Sequence, residues 1–373
     1  MLEHQAHRRL LIRLNTCRNI PRESICRLAA QLPSWIRLGR SDALSSTAAE
    51  LGVPEPHLKR ALDYLSLTDE VVEVELDRVE TLGARILTLL DDAYPAALRD
   101  LSLPPPILYC SGRIPSRPAV AIVGSRRADP LGLEVAELFG RELAACGLTV
   151  VSGLALGVDA AAHRGAMETL NGRTLAVLGC GIDVMYPRNH WRLRKQISSQ
   201  GALISEFPLG TPPFARHFPI RNRLIAALAL GTLVVQGARR SGSLITARLA
   251  LDLGRDVYAV PGRIFDELAI GPNTLIRDGA LVALLPRDIV ESLPSSAQDR
   301  LVNRAPKKTD RRPPVKGVPG DVLQAMQPGE LLAADKLAKT SGLPIDQVLG
   351  SLLELELTGW VRRHPGPAYQ RRL

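Results

Sequence analysis

The stretch Val120-Ala121-Ile122-Val123-Gly124-Ser125-Arg126-Arg127 decides the fold. A short, wholly apolar run stops on Gly-Ser, and a helix is predicted to begin near Leu131. A run without polar alternation is a strand buried on both faces. Similar runs recur at Thr149–Val151, Thr174–Leu178, Ala202–Ile204, Thr232–Val235 and Val257–Val260. Amphipathic stretches long enough for helices lie between them. Strand and helix in alternation predict a parallel sheet with helices on both faces, an α/β fold. Each strand ends in Gly, Ser or Pro, and ligands of such sheets bind outside the carboxyl ends of the strands.

Outward from this core the pattern changes. Residues 1 to about 85 are predicted to form a small helical domain of the SAM or helix-hairpin-helix kind. Apolar faces occur around Leu10–Leu14, Ser24–Leu32, Ala43–Leu51 and His57–Leu65, punctuated by Pro21, Pro33 and Pro54. Residues 86–293 then form the core domain, with a further short strand at Ile107–Cys110. Residues 294–318 are predicted to be an exposed linker, rich in Pro and basic at Lys307, Lys308, Arg311 and Arg312. Residues 319–373 fit three short helices and a strand pair, with a helix-helix turn at Thr340-Ser341-Gly342, the pattern of a winged helix.

Composition narrows the partners. The 373 residues carry a formal net charge of +9 and are 46% hydrophobic. A basic excess favours polyanions. The five cysteines contain no C-x-x-C pair, which predicts no metal, no disulfide framework and a reducing cytoplasm. No apolar segment reaches a membrane-spanning length.

Five strand-end motifs carry candidate chemistry. Gly124-Ser125-Arg126 offers close backbone approach, a hydroxyl and a guanidinium at a helix start; an ordinary turn with a solvated Arg pair reads the same alone. In Val151-Ser152-Gly153-Leu154-Ala155-Leu156-Gly157-Val158-Asp159, Asp159 and His163 share a helical face. They are either an acid–base pair or a loop-fixing Asp and a hydrogen-bonded His. No nucleophile stands beside them, which favours the second reading. Gly179-Cys180-Gly181 lacks the third glycine of a dinucleotide fingerprint, and Asp183 either meets a ribose or, the favoured reading, caps its loop. Arg221-Asn222-Arg223 sets two cations and an amide at a helix start, either as an anion site or paired with local acids. Ser241-Gly242-Ser243 makes a phosphate cradle or a plain N-cap.

Absences matter as much. There is no G-x-x-x-x-G-K-[ST] and no H-E-x-x-H. Aromatics are only 4%, so phosphate contacts should outweigh base stacking. The second helix of the C-terminal turn carries Asp346, Gln347, Glu354 and Glu356 but no Lys or Arg, a poor duplex reader. Its wing has Arg362, Arg363, Arg371 and Arg372, which suits protein contact or weak backbone contact.

In order, eight segments resemble the DNA processing protein A (DprA/Smf) family: AIVGSR at 121–126, VSGLALGVDAAAH at 151–163, AVLGCGIDVMYP at 176–187, Ser205-Glu206, FPIRNRLIA at 218–226, SGSLITA at 241–247, AVPG at 259–262 and GPNTLIRDGA at 271–280. The resemblance implies an extended Rossmann-like core, flanked by the helical and winged-helix domains, that dimerises and binds single-stranded DNA. It implies a non-enzymatic protein, without cofactor, that protects incoming DNA and loads RecA recombinase during natural transformation. The resemblance puts Gly124, Ser125 and Arg126 at the DNA phosphates. The strand-end reading adds Ser152, Gly153, Arg221, Asn222, Arg223, Ser241, Gly242 and Ser243. One departure stands out: Gln236-Gly237 replaces the family's common Glu-Ala. Related phosphoribohydrolases use a Glu near this point, and Gln cannot serve as a general base. The competing expectation, a nucleotide-processing enzyme using the same pocket, is weakened by that change.

Overall fold

The computed structural model describes residues 2–17, 19–32, 44–66, 70–301, 315–327, 330–364 and 366–371. Nine strands join one sheet: β1 (Arg85–Thr88), β2 (Ile107–Gly112), β3 (Ala119–Val123), β4 (Thr149–Ser152), β5 (Arg173–Val177), β6 (Ala202–Ser205), β7 (Gly231–Val234), β8 (Asp256–Ala259) and β9 (Leu281–Val282). Their order is β1-β2-β6-β5-β4-β3-β7-β8-β9. From β6 to β9 every pairing is parallel; β1 and β2 add an antiparallel margin.

β3 is the hinge of this topology. From it the chain winds outward through β4, β5 and β6, then returns to β7 on the other side and winds outward again. Its five residues are all buried because both faces are covered. Val120 and Ile122 pack with Phe139 and Leu143 of helix Pro130–Ala145, whereas Ala121 and Val123 pack with Leu224 of helix His217–Leu228 and Ala247 of helix Gly242–Asp252. The period of two in the strand decides which layer each side chain enters.

The N-terminal helices Leu2–Thr16, Arg22–Ala30, Leu44–Glu50 and Glu55–Leu65 follow the expected apolar faces. Pro33 and Ala43 lie outside the described residues. A further helix among the described residues, Glu70–Thr81, goes beyond the four apolar faces of the sequence expectation. Its Val-rich sequence resembles a strand, but Val72, Glu75 and Val79 share one buried helical face. Glu75 is buried because its Oε1 accepts from Tyr109 Oη at 2.6 Å and from the Leu209 N–H at 3.1 Å. These helices share an apolar cluster with the sheet, in which Leu11, Leu28 and Leu58 join Tyr109, Ala176 and Leu203.

The expected linker differs at its start. Ser295–Gln298 is a short helix, and Ala297 and Leu301 pack into the core. Lys307, Lys308, Arg311 and Arg312 lie outside the described residues. Beyond them, helices Val318–Gln324, Ala334–Ser341 and Ile345–Leu357 pack against a sheet ordered β10 (Leu331–Ala333), β12 (Ala368–Arg371), β11 (Val361–His364). The three-residue β10 is too short to show a period in the sequence, which predicts the β11–β12 pair alone. In the wing, Arg371 Nη1 donates to the Leu323 and Met326 carbonyls, and Arg362 meets Glu137 of the core at 3.8 Å. Arg372 lies outside the described residues.

The five cysteines are free and buried. His163 is fully buried, with Nδ1 2.6 Å from Thr174 Oγ1. That hydroxyl donates to the Val150 carbonyl at 2.7 Å, so Nδ1 carries the hydrogen and donates. Burial pushes the His163 pKa down from 6.5 to about 3. The folded pKa is then below the unfolded one, so the unfolded chain binds more protons between these values, and stability falls as pH drops through that window. Denaturant unfolding of His163→Gln should lack about 1.4 kcal/mol per pH unit of the parent's loss below pH ~6.5. Equal pH slopes for the two proteins would refute this.

Candidate nucleic-acid interface

β3 and β7 are neighbours, yet the chain leaves them towards opposite faces of the sheet. A crevice must open between their carboxyl ends. The Ser125 N–H donates to the Gln236 carbonyl at 2.7 Å, extending the β3–β7 pairing past Val123 and Val234. Ser125 Oγ accepts from the Arg127 N–H at 3.0 Å and turns the chain outward. The Ser125 carbonyl accepts from the Val158 N–H at 3.2 Å, at the start of helix Val158–Met167. Gly157, at φ +79, makes that contact possible: any Cβ there would collide with the Ser125 carbonyl. The loop is thus pinned on both sides, and Arg126 and Arg127 are left exposed at its rim.

The floor is built around Arg221, whose side chain is almost fully buried. Its Nη1 donates to the Gly153 carbonyl at 2.8 Å and to the Val177 carbonyl, and its Nε donates to Asn222 Oδ1 at 3.2 Å. Gly153 admits it: a Cβ there would lie 2.5 Å from Arg221 Nη2. Asp159 Oδ2 accepts from the Gly153 N–H at 3.1 Å and the Ala155 N–H at 3.3 Å. Burial raises the Asp159 pKa, against the pull of Arg221 and these amides. Burial lowers the Arg221 pKa to about 10, and Asp159 opposes that shift. Arg221 therefore keeps its charge at neutral pH.

The third wall is the start of helix Gly242–Asp252. Ser241 is its N-cap, accepting from the Ser243 N–H at 3.3 Å, and the two hydroxyls are 2.8 Å apart. The space where a Gly242 Cβ would stand is open. The first N–H groups of an eleven-residue helix face this side with a positive dipole end. Asn222 Nδ2, from the second turn of helix His217–Leu228, reaches the Gly242 carbonyl at 3.5 Å and ties the two helices together.

These walls enclose a cleft of about 800 Å³. Gly124, Ser125, Arg126, Arg221, Asn222, Ser241, Gly242 and Ser243 line it, as the strand-end reading expected. Three expected residues lie elsewhere. Ser152 is fully buried and donates to the Ile122 carbonyl at 2.6 Å. Gly153 lies beneath Arg221 with its N–H bonded to Asp159. Arg223 points the other way, meeting the buried Glu206 at 2.6 Å and the Leu103 carbonyl at 2.9 Å. Two positions along a helix turn the side chain by about 200°, so Arg221 and Arg223 cannot share a face.

The sequence reading missed an aromatic element. Arg126 lies over the Phe218 ring at 4.6 Å, and Tyr186 meets that ring at 5.6 Å. Both rings line the cleft, as does Arg240. In a chain with so few aromatics, a Phe three residues before Arg221 was the available signal. The cleft's cations are Arg126, Arg127, Arg221 and Arg240; its carboxylates are Asp159 and Glu267. Asp183 is not among them: it accepts from the Gly210 N–H at 2.8 Å and pairs with Arg78 at 3.2 Å, a loop cap as expected. Gln236 faces a different hollow and accepts from the Asp129 N–H at 3.2 Å. Among the described residues no His, Cys, Asp and Glu cluster is fit for a metal ion.

Residues 85–294, more than half of the chain, match the family described as DNA recombination-mediator protein A. This chain belongs to that family. Residues 306–367 match the DprA winged helix domain. Protein Smf of Escherichia coli (strain K12) is 38% identical over 314 residues, 83% of either chain. The DNA processing protein DprA of Streptococcus pneumoniae (strain ATCC BAA-255 / R6) is 40% identical over 231 residues, 61% of this chain and 79% of its own. A solved DprA from Streptococcus pneumoniae superposes with a TM-score of 0.65 at 31% identity, covering 79% of this chain and 99% of that one. A Helicobacter pylori DNA processing protein A, described for its single-stranded DNA binding mode, superposes with a TM-score of 0.50 at 31% identity, covering 56% and 94%.

Arg221 and Arg126 separate structure from surface. Arg221→Met leaves the carbonyls of Gly153 and Val177 and the buried Asp159 without their cation. It should cost about 3–5 kcal/mol in denaturant unfolding. Arg126→Ala, at the exposed rim, should stay within about 0.5 kcal/mol of the parent. Equal stabilities for both variants would contradict this division.

Proposed function

We propose that this protein binds single-stranded DNA in the switch-point cleft and, without catalysis, protects incoming strands and loads RecA recombinase onto them during natural transformation in the cytoplasm. The observation that carries the reading is the cleft's electrostatics. Four guanidinium groups and an open helix start face two carboxylates, one of them buried. Phosphates suit such a wall, and the Phe218 and Tyr186 rings offer a face to unstacked bases. The Helicobacter pylori relative's description supports single strands as the ligand. The family's description as a recombination mediator supports RecA as the partner. The phosphate-binding set is Gly124, Ser125, Arg126, Asn222, Ser241, Gly242 and Ser243, with Arg221 beneath them as the buried positive charge of the floor. We take residues 1–85, 86–293 and 319–373 as its working units, joined by 294–318.

A nucleotide-processing reading finds less support. Gln236 cannot ionise and lies outside this cleft. Asp159 is held by two backbone N–H groups. Incubation with nucleoside monophosphates should release no free base on chromatography.

We also propose a homodimer through the Rossmann-like domain. β9 is a sheet edge, and Leu281, Val282 and Leu284 beside it are 44%, 44% and 67% exposed. An exposed apolar edge strand invites pairing. Leu284→Lys should shift sedimentation from dimer to monomer; an unchanged dimer removes this edge as the interface.

The DNA reading is tested by titrating salt against binding of an oligothymidylate. The slope of log K against log salt should fall in magnitude by about 0.7 in Arg126→Ala for each phosphate that the guanidinium neutralises in the parent. Binding equal to the parent's at moderate salt would sink the reading.

A further inference from the structure

The segment Pro212–Ile220 is a ridge between two hollows. Pro213, Ala215, Phe218 and Pro219 face the switch-point cleft. Pro212, Phe214, Arg216, His217 and Ile220 face a second pocket of about 530 Å³, closed on its far side by the N-terminal helices through Ile20, Arg22 and Ile25. The volume falls in the ordinary range for small-ligand sites, about 300–1,000 Å³.

The lining of this pocket has three features. First, its charge is one-sided: among the described residues Arg22 and Arg216 line it, and no carboxylate does. Arg22 is matched by Glu206, which is fully buried behind the wall, at 3.7 Å. Arg216 is exposed and lies over the Phe214 ring at 5.0 Å. Second, its rings form a stack. Phe207 and His217 are face to face at 4.3 Å, and Phe214 meets His217 edge-on at 5.3 Å. Phe214 is 46% exposed, although a ring of that size is ordinarily covered. Third, His217 is only 8% exposed, and the Gly179 and Pro212 carbonyls hold its ring in place in the stack.

We propose that this pocket binds a further nucleotide of the single strand held in the switch-point cleft, the base against Phe214 and the phosphate against Arg216. The inference rests on the proposed binding of DNA in that cleft. The strand crosses the ridge from Phe218 to Phe214, and the N-terminal helices become part of the DNA site. A nucleotide fits these features: a π-face for the exposed Phe214 ring and an anion for Arg216 beside it. An apolar peptide would leave Arg216 unanswered.

The test is the dependence of affinity on oligothymidylate length, from about 4 to about 16 nucleotides. Short strands fill the switch-point cleft alone; longer ones also reach the pocket. Phe214→Ala and Arg216→Ala should bind the short strands like the parent and bind the long ones more weakly, Phe214→Ala by about 5- to 150-fold, the range for removal of a single base stack. Phe214→Trp should retain the long-strand affinity. A 2-aminopurine placed along the strand should be quenched at one position in the parent and not in Phe214→Ala. Parent-like binding at every length, or an equal weakening at every length, overturns the proposal. Tight binding of free thymidine monophosphate that depends on Phe214, with long strands unaffected, makes this a small-molecule pocket and also overturns it. If the parent binds no strand of any length, the switch-point reading itself has failed; a parent that binds short strands while the Phe214 variant matches it throughout shows that only the present inference has.

Discussion

The cleft depends on the burial of one cation. Arg221 lies beneath the ends of β4 and β5, bonded to the carbonyls of Gly153 and Val177. Removing a guanidinium from water costs several kcal/mol unless carbonyls and a counter-charge answer it. Here the answer comes from two strand ends and from Asp159, whose own carboxylate is held by the amides of Gly153 and Ala155. The helix starting at His217 is thereby locked to the sheet at the place where the chain reverses its winding. Phe218 and Asn222, which flank Arg221, take their positions from that lock. Arg126 then rests on Phe218 at 4.6 Å, so the exposed part of the site is referenced to the buried part.

A second buried charge does the same work on the opposite side of that helix. Arg223 meets Glu206 at 2.6 Å, and Arg22 of the N-terminal helices approaches the same carboxylate at 3.7 Å. Asn15 Nδ2 adds a contact to the Glu206 carbonyl at 3.3 Å. The N-terminal helices are thus joined to the core by ion pairs as well as by the shared apolar cluster. One helix, through two arginines two positions apart, organises the switch-point cleft on one side and the domain junction on the other.

Chain order hides this division. In the sequence Arg221-Asn222-Arg223 looks like one cationic motif, with both arginines expected at phosphates. Helical geometry separates them. Ser152 and Gly153 are expected at the same edge because their strand ends there. The strand buries Ser152 against β3, and Gly153 serves by having no side chain where Arg221 must pass. Conversely, Phe214, Arg216 and His217 do not stand out in the sequence, because a Pro-rich loop before a helix carries no periodic signal. Their meaning depends on Arg22 and Ile25, nearly two hundred residues earlier in the chain.

The sequence by itself determined the parallel α/β core, the winged-helix module and the edge at which ligands collect. Those follow from local properties: apolar runs of strand length, helix-length amphipathic spacers, and Gly and Ser at strand ends. It also determined, through Gly124-Ser125-Arg126 and Ser241-Gly242-Ser243, two of the walls of the cleft. Only the tertiary structure decided which cations are floor and which are rim, that β9 is an edge, and that the N-terminal helices wall a second pocket. Each of those depends on contacts between segments far apart in the chain. Burial, which turns an arginine from a ligand-binding group into a structural one, is a property of the packed layers and not of the local sequence.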